Sequence, residues 1–170
     1  MQLEEAIRAR RTHKAYGPEP VDRATLDELF ELARWAPNHK LTNPWRFRVL
    51  GPESLARLKG ASDDPIAAAK LMRAPTLVVV SCRQAGDPIL DEEDRYATAV
   101  AAYIVLLAAH GRGLAGYWRT PALLRDAAGR TALGVGDDEH VLGLLHLGRP
   151  RQEPRTPERA PLQDIVEYLD

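Results

Sequence analysis

The chain has 170 residues, 45% of them hydrophobic and 28% charged, a balance that suits one globular domain over residues 1–170 and excludes a disordered chain. A formal net charge of -1 gives no bulk attraction to nucleic acid or to an anionic membrane surface. Cys82 is the only cysteine, so no internal disulfide is possible. Glu4 and Glu5 stand where a secretory leader needs basic residues, and a soluble cytoplasmic protein is expected.

Leu3, Ala6 and Ile7 fall at helical spacing and predict a short amphipathic helix over residues 2–10 that leads into Arg10 and Arg11. Residues 12–20 close in a turn-rich Gly17-Pro18-Glu19-Pro20. Asp22 is a good helix cap; Leu26, Leu29, Phe30 and Ala33 mark one face of a second helix, which Pro37 stops. Residues 38–45 read as a polar loop and 47–50 as a strand entering the core. Short helices follow at 53–59 and 67–72. Residues 76–82 form a β-rich run long enough for a buried strand, in which Cys82 is expected to be buried and inert.

Residues 91–112 form the longest predicted helix, with Ala97, Val100, Ala101, Ile104, Val105 and Ala108 carrying apolar character most of the way round. A helix of roughly 20 residues is about 30 Å long. A domain this small has trouble covering such a helix alone, which points to a subunit interface. The apolar stretch within it is too short to span a bilayer. A Gly-rich turn leads to Tyr117-Trp118-Arg119-Thr120, Pro121 opens a helix through Ala128, and residues 141–147 form a further apolar strand. The tail over 148–161 is rich in proline and arginine and reads as an extended arm; residues 162–169 close the chain as a short amphipathic segment. Strands alternating with helices indicate a layered α/β or α+β fold.

No glycine fingerprint of a dinucleotide fold, no Walker loop, no nucleophile elbow and no metal-spaced Cys/His cluster occurs in the sequence. The reactive group of any enzyme here would be borrowed from a cofactor. Four segments could serve one. Arg10-Arg11-Thr12-His13-Lys14 combines forked cations, a point charge and a hydroxyl, the partners a phosphate monoester needs. The same residues also read as a solvated basic helix end favoured by the helix dipole, and on the residues alone that reading has the edge. Trp35 and Trp45 flank the polar loop containing His39; stacking on an aromatic ligand and plain core anchoring both fit, with anchoring favoured for Trp45. Trp118-Arg119-Thr120 is either an ordinary strand with an amphipathic Trp or part of a site. Arg149, Arg151, Arg155 and Arg159 read by default as a solvated arm.

Taken in order, these segments resemble the nitroreductase family of FMN-dependent enzymes. The family opens with a helix followed by Arg-Arg/His-Ser/Thr-x-x-x-Phe/Tyr, here Arg10 to Tyr16. It continues with Ala-Arg-x-Ala-Pro, here Ala33 to Pro37, and Pro-Trp-x-Phe, here Pro44 to Phe47. The late strand with Gly148-Arg149-Pro150 and the ending from Arg159-Ala160-Pro161-Leu162 are similar to the family's Gly-x-Pro turn and C-terminal arm. His39-Lys40 with Asn43-Pro44-Trp45 and Trp118-Arg119-Thr120 look like a compact branch of the family.

The resemblance implies a central mixed sheet with helices on both sides, in an intertwined homodimer with two FMN sites at the subunit interface. It implies that Arg10, Arg11 and Thr12 hold the phosphate and ribityl chain, with Lys14 near the pyrimidine edge. Trp35 and His39 would reach the flavin from the other subunit, Trp118, Arg119 and Thr120 would line the ring, and Arg159 would add a phosphate partner from the arm. The activity implied is hydride transfer from NAD(P)H, NADH or NADPH, through FMN to a nitroaromatic, quinone or similar small-molecule acceptor, without a catalytic side chain, a metal, nucleic acid or a membrane. Two other functions fit the same residues: a flavin-binding or sensing protein with little turnover, and a small interaction domain dimerising through its Ala-rich helix.

Overall fold

Short polar caps set where the helices begin. In the computed structural model, which describes residues 2–62 and 64–169, Asp22 accepts a hydrogen bond from the Thr25 backbone N–H at 2.8 Å and opens a helix over Arg23–Ala33. Asp64 and Asp87 cap the helices Pro65–Leu71 and Pro88–Gly111 in the same way. Proline stands at the start of both, and of Pro52–Gly60, where its missing N–H has no intrahelical partner to lose. In chain order the helices are α1 (Leu3–Ala9), α2 (Arg23–Ala33), α3 (Pro52–Gly60), α4 (Pro65–Leu71), α5 (Pro88–Gly111) and α6 (Ala127–Ala132).

The helix expected over 121–128 is broken. A 3-10 turn, Ala122–Leu124, is followed by α6, which starts only after Asp126. The chain folds back so tightly there that a Cβ on Gly129 would lie 1.8 Å from the Leu123 carbonyl oxygen. Only glycine permits that contact.

Four strands, β1 (Trp45–Val49), β2 (Thr76–Arg83), β3 (Ala115–Arg119) and β4 (Glu139–Gly148), form one sheet in the order β1-β2-β4-β3. Every neighbouring pair is antiparallel. The sheet was expected to be mixed. The strands β2 and β3, joined by α5, do run parallel, as a helical crossover dictates, but β4 inserts between them and pairs antiparallel with each. The parallel bridge that does occur, Thr12 with Gly116, lies outside the named strands.

Side chains on β2 alternate between two cores. Val78 and Val80 enter one with α2 and α5, while Leu77 and Val79 enter the other with Leu58 of α3, Leu71 of α4 and Leu124. Helices therefore cover both faces. Small residues on α5 (Ala97, Ala101, Ala102, Ala109) let it lie close on the sheet. Its far side is open in the single chain: Tyr96, Val100 and Tyr103 are 63%, 41% and 37% exposed. No helix among the described residues is long and apolar enough to cross a membrane.

The sheet is pinned by charge as well. Arg48 on β1 meets Glu139 at the start of β4 through Nη2–Oε1 at 2.5 Å and Nη1–Oε2 at 2.8 Å, and Ser81 on β2 donates to the same carboxylate. Cys82 is buried in β2, as expected, and burial pushes its thiol pKa up. From residue 151 to 169 the chain is exposed almost throughout, with one 3-10 turn at Leu162–Asp164 in place of the amphipathic segment expected there.

Candidate functional site

The segment after α1 is stitched between β3 and the root of the C-terminal arm. His13 donates its backbone N–H to the Gly116 carbonyl at 3.2 Å, Gly17 to Arg149 at 2.9 Å, and Arg151 to Ala15 at 3.3 Å. Tyr16 is buried in the second core and donates its hydroxyl to the His13 carbonyl. These contacts fix Arg10-Arg11-Thr12 beside the arm. The result is a cleft of about 300 Å³ lined by Arg10, Arg11, Thr12, Arg155, Pro157 and Arg159.

Each cation in the cleft has its own setting. Arg10 is half-buried, its guanidinium 5.8 Å from the centroid of the Tyr103 ring on α5, and its Nε is buried without a hydrogen-bond partner among the described residues. Arg11 turns one nitrogen back to the Arg8 and Arg10 carbonyls, closing off orphan acceptors at the end of α1. The basic helix end and the wall of the cleft are thus the same residues. His13 and His110 lie nearby, and burial first, with Arg10 adding to it, lowers the pKa of each. The positive charge of the cleft therefore comes from arginine at neutral pH. Its lining holds no carboxylate to neutralise four guanidinium groups. An unneutralised cluster of that kind is a place for an anion with several acceptor oxygens.

The other expected site residues lie elsewhere. Lys14 is exposed just beyond the cleft. Trp118 and Arg119 sit on opposite faces of β3. The Trp118 indole packs against the α2–α5 core and donates to the Leu142 carbonyl at 3.2 Å, where a bulge displaces Leu142 from the β2–β4 ladder. Gly143 makes room for it: a Cβ there would lie 2.3 Å from the indole nitrogen. Arg119 opens instead onto a cavity of about 440 Å³ shared with Lys70 of α4, Pro121 and Leu123, and donates to the Lys70 carbonyl at 3.4 Å. Thr120 is exposed at the end of the strand.

Trp35 projects from the end of α2, 74% exposed. Trp45, by contrast, is a buried core anchor. His39 pairs with Glu93 of α5 at 2.6 Å, and Thr42 donates to the buried Asp94 at 2.6 Å. Between them Lys40, Leu41 and Asn43 hold φ of 53°, 52° and 48°, left-handed conformations that cost energy in residues other than glycine. Asn38 braces them by accepting from the Asn43 backbone N–H at 2.9 Å. Glu93 and Tyr103, the α5 partners of His39 and Arg10, are ten residues apart, about 15 Å along the helix. One chain thus gathers Arg10, Arg11, Thr12 and Arg159, and leaves Trp35 and His39 at the other end of α5.

Of the residues at these sites, one was missed in the sequence and one was not singled out. Lys70 is a lone cation in an Ala-rich helix. Arg155 was one of four arginines in an arm without periodicity, so nothing distinguished it from Arg149 or Arg151.

Residues 7–70 match the sequence model of the nitroreductase family. The Bacillus subtilis (strain 168) protein YfhC, provisionally named an NAD(P)H nitroreductase, is 27% identical over 95% of this chain and 91% of its own length. A 5,6-dimethylbenzimidazole synthase of Rhodospirillum rubrum is likewise 27% identical, over 92% of this chain and 85% of that protein. Among solved structures, a nitroreductase-like family protein from Bacillus cereus superposes with a TM-score of 0.91 at 23% identity, covering 100% of this chain and 97% of that one. An FMN- and NADPH-dependent nitroreductase, NfnB of a Sphigopyxis strain, gives a TM-score of 0.82 at 20% identity over 100% of both chains. A protein of Desulfovibrio desulfuricans provisionally named a nitroreductase, solved in complex with FMN, gives 0.84 at 23% identity, over 100% of this chain and 98% of that one.

Proposed function

We propose that this member of the nitroreductase family is an FMN-dependent oxidoreductase that carries reducing equivalents from NAD(P)H to an organic acceptor of the nitroaromatic or quinone kind, as a homodimer with its flavin sites between subunits. The observation that carries this reading is the arginine cleft at Arg10, Arg11, Thr12 and Arg159. Its donor set suits a phosphate monoester, with the forked guanidinium groups of three arginines beside the Thr12 hydroxyl. Two of the similar structures are FMN proteins, which supports the choice of flavin over another phosphate.

Arg10, Arg11 and Arg159 would neutralise the phosphate, and the Thr12 hydroxyl would donate to it or to the ribityl chain. Lys14 would place a positive charge at the pyrimidine edge, where it favours negative charge on the ring. The end of β3, Trp118 to Thr120, would run along the ring, Trp118 through backbone held in place by its buried indole. Bound FMN would supply the hydride chemistry, accepting from the nicotinamide and passing electrons to the acceptor at one site. No side-chain acid or base is assigned.

The dimer part of the reading rests on three observations. The Trp35–His39 loop lies about 15 Å along α5 from the Arg10 contact, with Trp35 projecting into solvent from the single chain. The outer face of α5 exposes Tyr96, Val100 and Tyr103. The arm ends in Leu162, Ile165, Tyr168 and Leu169, exposed by 65% to 89% in the single chain. Together they suit a partner that covers α5, receives the arm and offers its own loop to the flavin.

The test is the visible spectrum of the purified protein, followed by titration with FMN. A flavin spectrum, or saturable uptake of FMN in its place, is expected. A colourless protein that takes up no FMN would overturn the reading.

A further inference from the structure

The arm carries arginines at 149, 151, 155 and 159, and they are not equivalent. Arg149 lines a separate cavity with Glu19, Asp22 and Arg112. Arg151 uses its backbone N–H on the Ala15 carbonyl and does not line the arginine cleft. Arg155 and Arg159 both line it, with Pro157 between them. A straight extended chain would set residues four apart by about 13 Å. Residues four apart on an extended chain share a face, so both long side chains can reach one cleft of about 300 Å³. Pro154 and Pro157 fix φ before and between the two arginines and limit the conformations of the arm.

The donor count points the same way. Arg11 has one nitrogen committed to the α1 carbonyls. Arg10 is held against Tyr103 with its Nε inside. Arg155 and Arg159 line the cleft from the arm, opposite Arg10 and Arg11, and neither donates a side-chain hydrogen bond among the described residues. Four like charges gathered without a carboxylate repel one another unless an anion lies between them. A phosphate monoester dianion has three terminal oxygens and can accept from all four.

We propose that Arg155 is a direct ligand of the cofactor phosphate, so that the arm closes on the cofactor with two arginines. This rests on the flavin reading above. Because Arg155 sits on an exposed arm, its removal leaves the fold intact and isolates the phosphate contact. It also sets an order of events: the arm has few contacts of its own, so the phosphate supplies much of what holds it in place.

The experiment is equilibrium titration of wild type, Arg155→Gln and Arg151→Gln with FMN and, in parallel, with riboflavin, which has the ring but no phosphate. Arg155→Gln is expected to raise the FMN dissociation constant about tenfold, to flatten its salt dependence, and to leave riboflavin affinity unchanged. Arg151→Gln is expected to match wild type with both ligands. An Arg155→Gln protein that binds FMN as wild type does, or that loses riboflavin to the same extent, overturns the assignment while leaving the flavin reading standing. A wild-type protein that binds neither ligand overturns both.

Discussion

The guanidinium of Arg10 lies 5.8 Å from the centroid of the Tyr103 ring, and this contact ties the proposed phosphate site to the outer face of α5. A cation–π contact at a partly exposed position contributes about 0.5–1 kcal/mol. Its larger effect is to hold the guanidinium beside Thr12 without using its donors. Arg10→Ala is expected to weaken FMN binding at least tenfold, the loss of a charge-assisted contact. Tyr103→Leu is expected to weaken it only about threefold, the cation–π share. Fluorescence titration with FMN measures both; equal losses would mean that Tyr103 supports more than the orientation of Arg10.

The interface reading gives a prediction about assembly. Val100 is 41% exposed on the outer face of α5, so Val100→Asp leaves the single chain's core intact and places a charge where a partner would pack. The variant is expected to sediment as a monomer and to release FMN, while wild type sediments as a dimer. A Val100→Asp monomer that retains FMN with unchanged affinity would separate cofactor binding from assembly.

Acid stability should show two windows. His146 is fully buried on β4 with both ring nitrogens unpartnered among the described residues, and burial first, with Arg119 and Arg73 adding to it, lowers its pKa to about 4. The unfolded chain binds the proton more readily, with a pKa near 6.5. Stability is therefore complete above about pH 6.5 and falls as pH drops towards 4, by up to roughly 3 kcal/mol. Urea unfolding at pH 7 and pH 5 should show a clear loss in wild type and a smaller one in His146→Leu. Equal losses would contradict a neutral buried imidazole.

The second window belongs to Glu139. Its hydrogen bonds from Arg48, ahead of the bond from Ser81, lower its pKa below the usual carboxylate value. A depressed carboxylate pKa stabilises the folded state above the unfolded pKa, about 4.3, and that contribution is lost as pH falls through the folded value. Removing one partner of a buried pair costs about 3 kcal/mol. Glu139→Gln is expected to unfold at lower urea at pH 7 by about that amount, with the difference from wild type shrinking at the most acidic pH where both fold. An unchanged midpoint at neutral pH would show that Arg48 finds other acceptors, the Gly134 carbonyl first among them.

Much of the fold was legible in local signals. Asp22 followed by apolar residues at helical spacing marked α2, and the β-rich run at 76–82 marked the central strand β2, buried on both faces. The break between Leu124 and Ala127 was not legible, because it depends on Gly129 meeting the Leu123 carbonyl and a helix pattern does not encode that contact. The order of the strands was hidden for a similar reason. Nothing local says that β4 inserts between β2 and β3.

The site divides in the same way. Arg10-Arg11-Thr12 is contiguous and could be read as a unit, although on its own a solvated basic helix end explained it somewhat better. The structure shows Arg11 donating to the last carbonyls of α1 while lining the cleft. Arg155 could not be singled out, because what distinguishes it from Arg151 is which stretch of the arm passes the cleft. The left-handed backbone at Lys40, Leu41 and Asn43 was silent as well, since none of the three is glycine.

One measurement bears most directly on the central claim: mixing the FMN-loaded protein with NADH or NADPH in the absence of oxygen, then adding a quinone or nitroaromatic. The account predicts that the visible flavin band bleaches with at least one nicotinamide, returns on addition of the acceptor, and does so over many cycles. A bound flavin that stays oxidised in excess of both nicotinamides would contradict it, and would leave a flavin-binding protein without the proposed turnover.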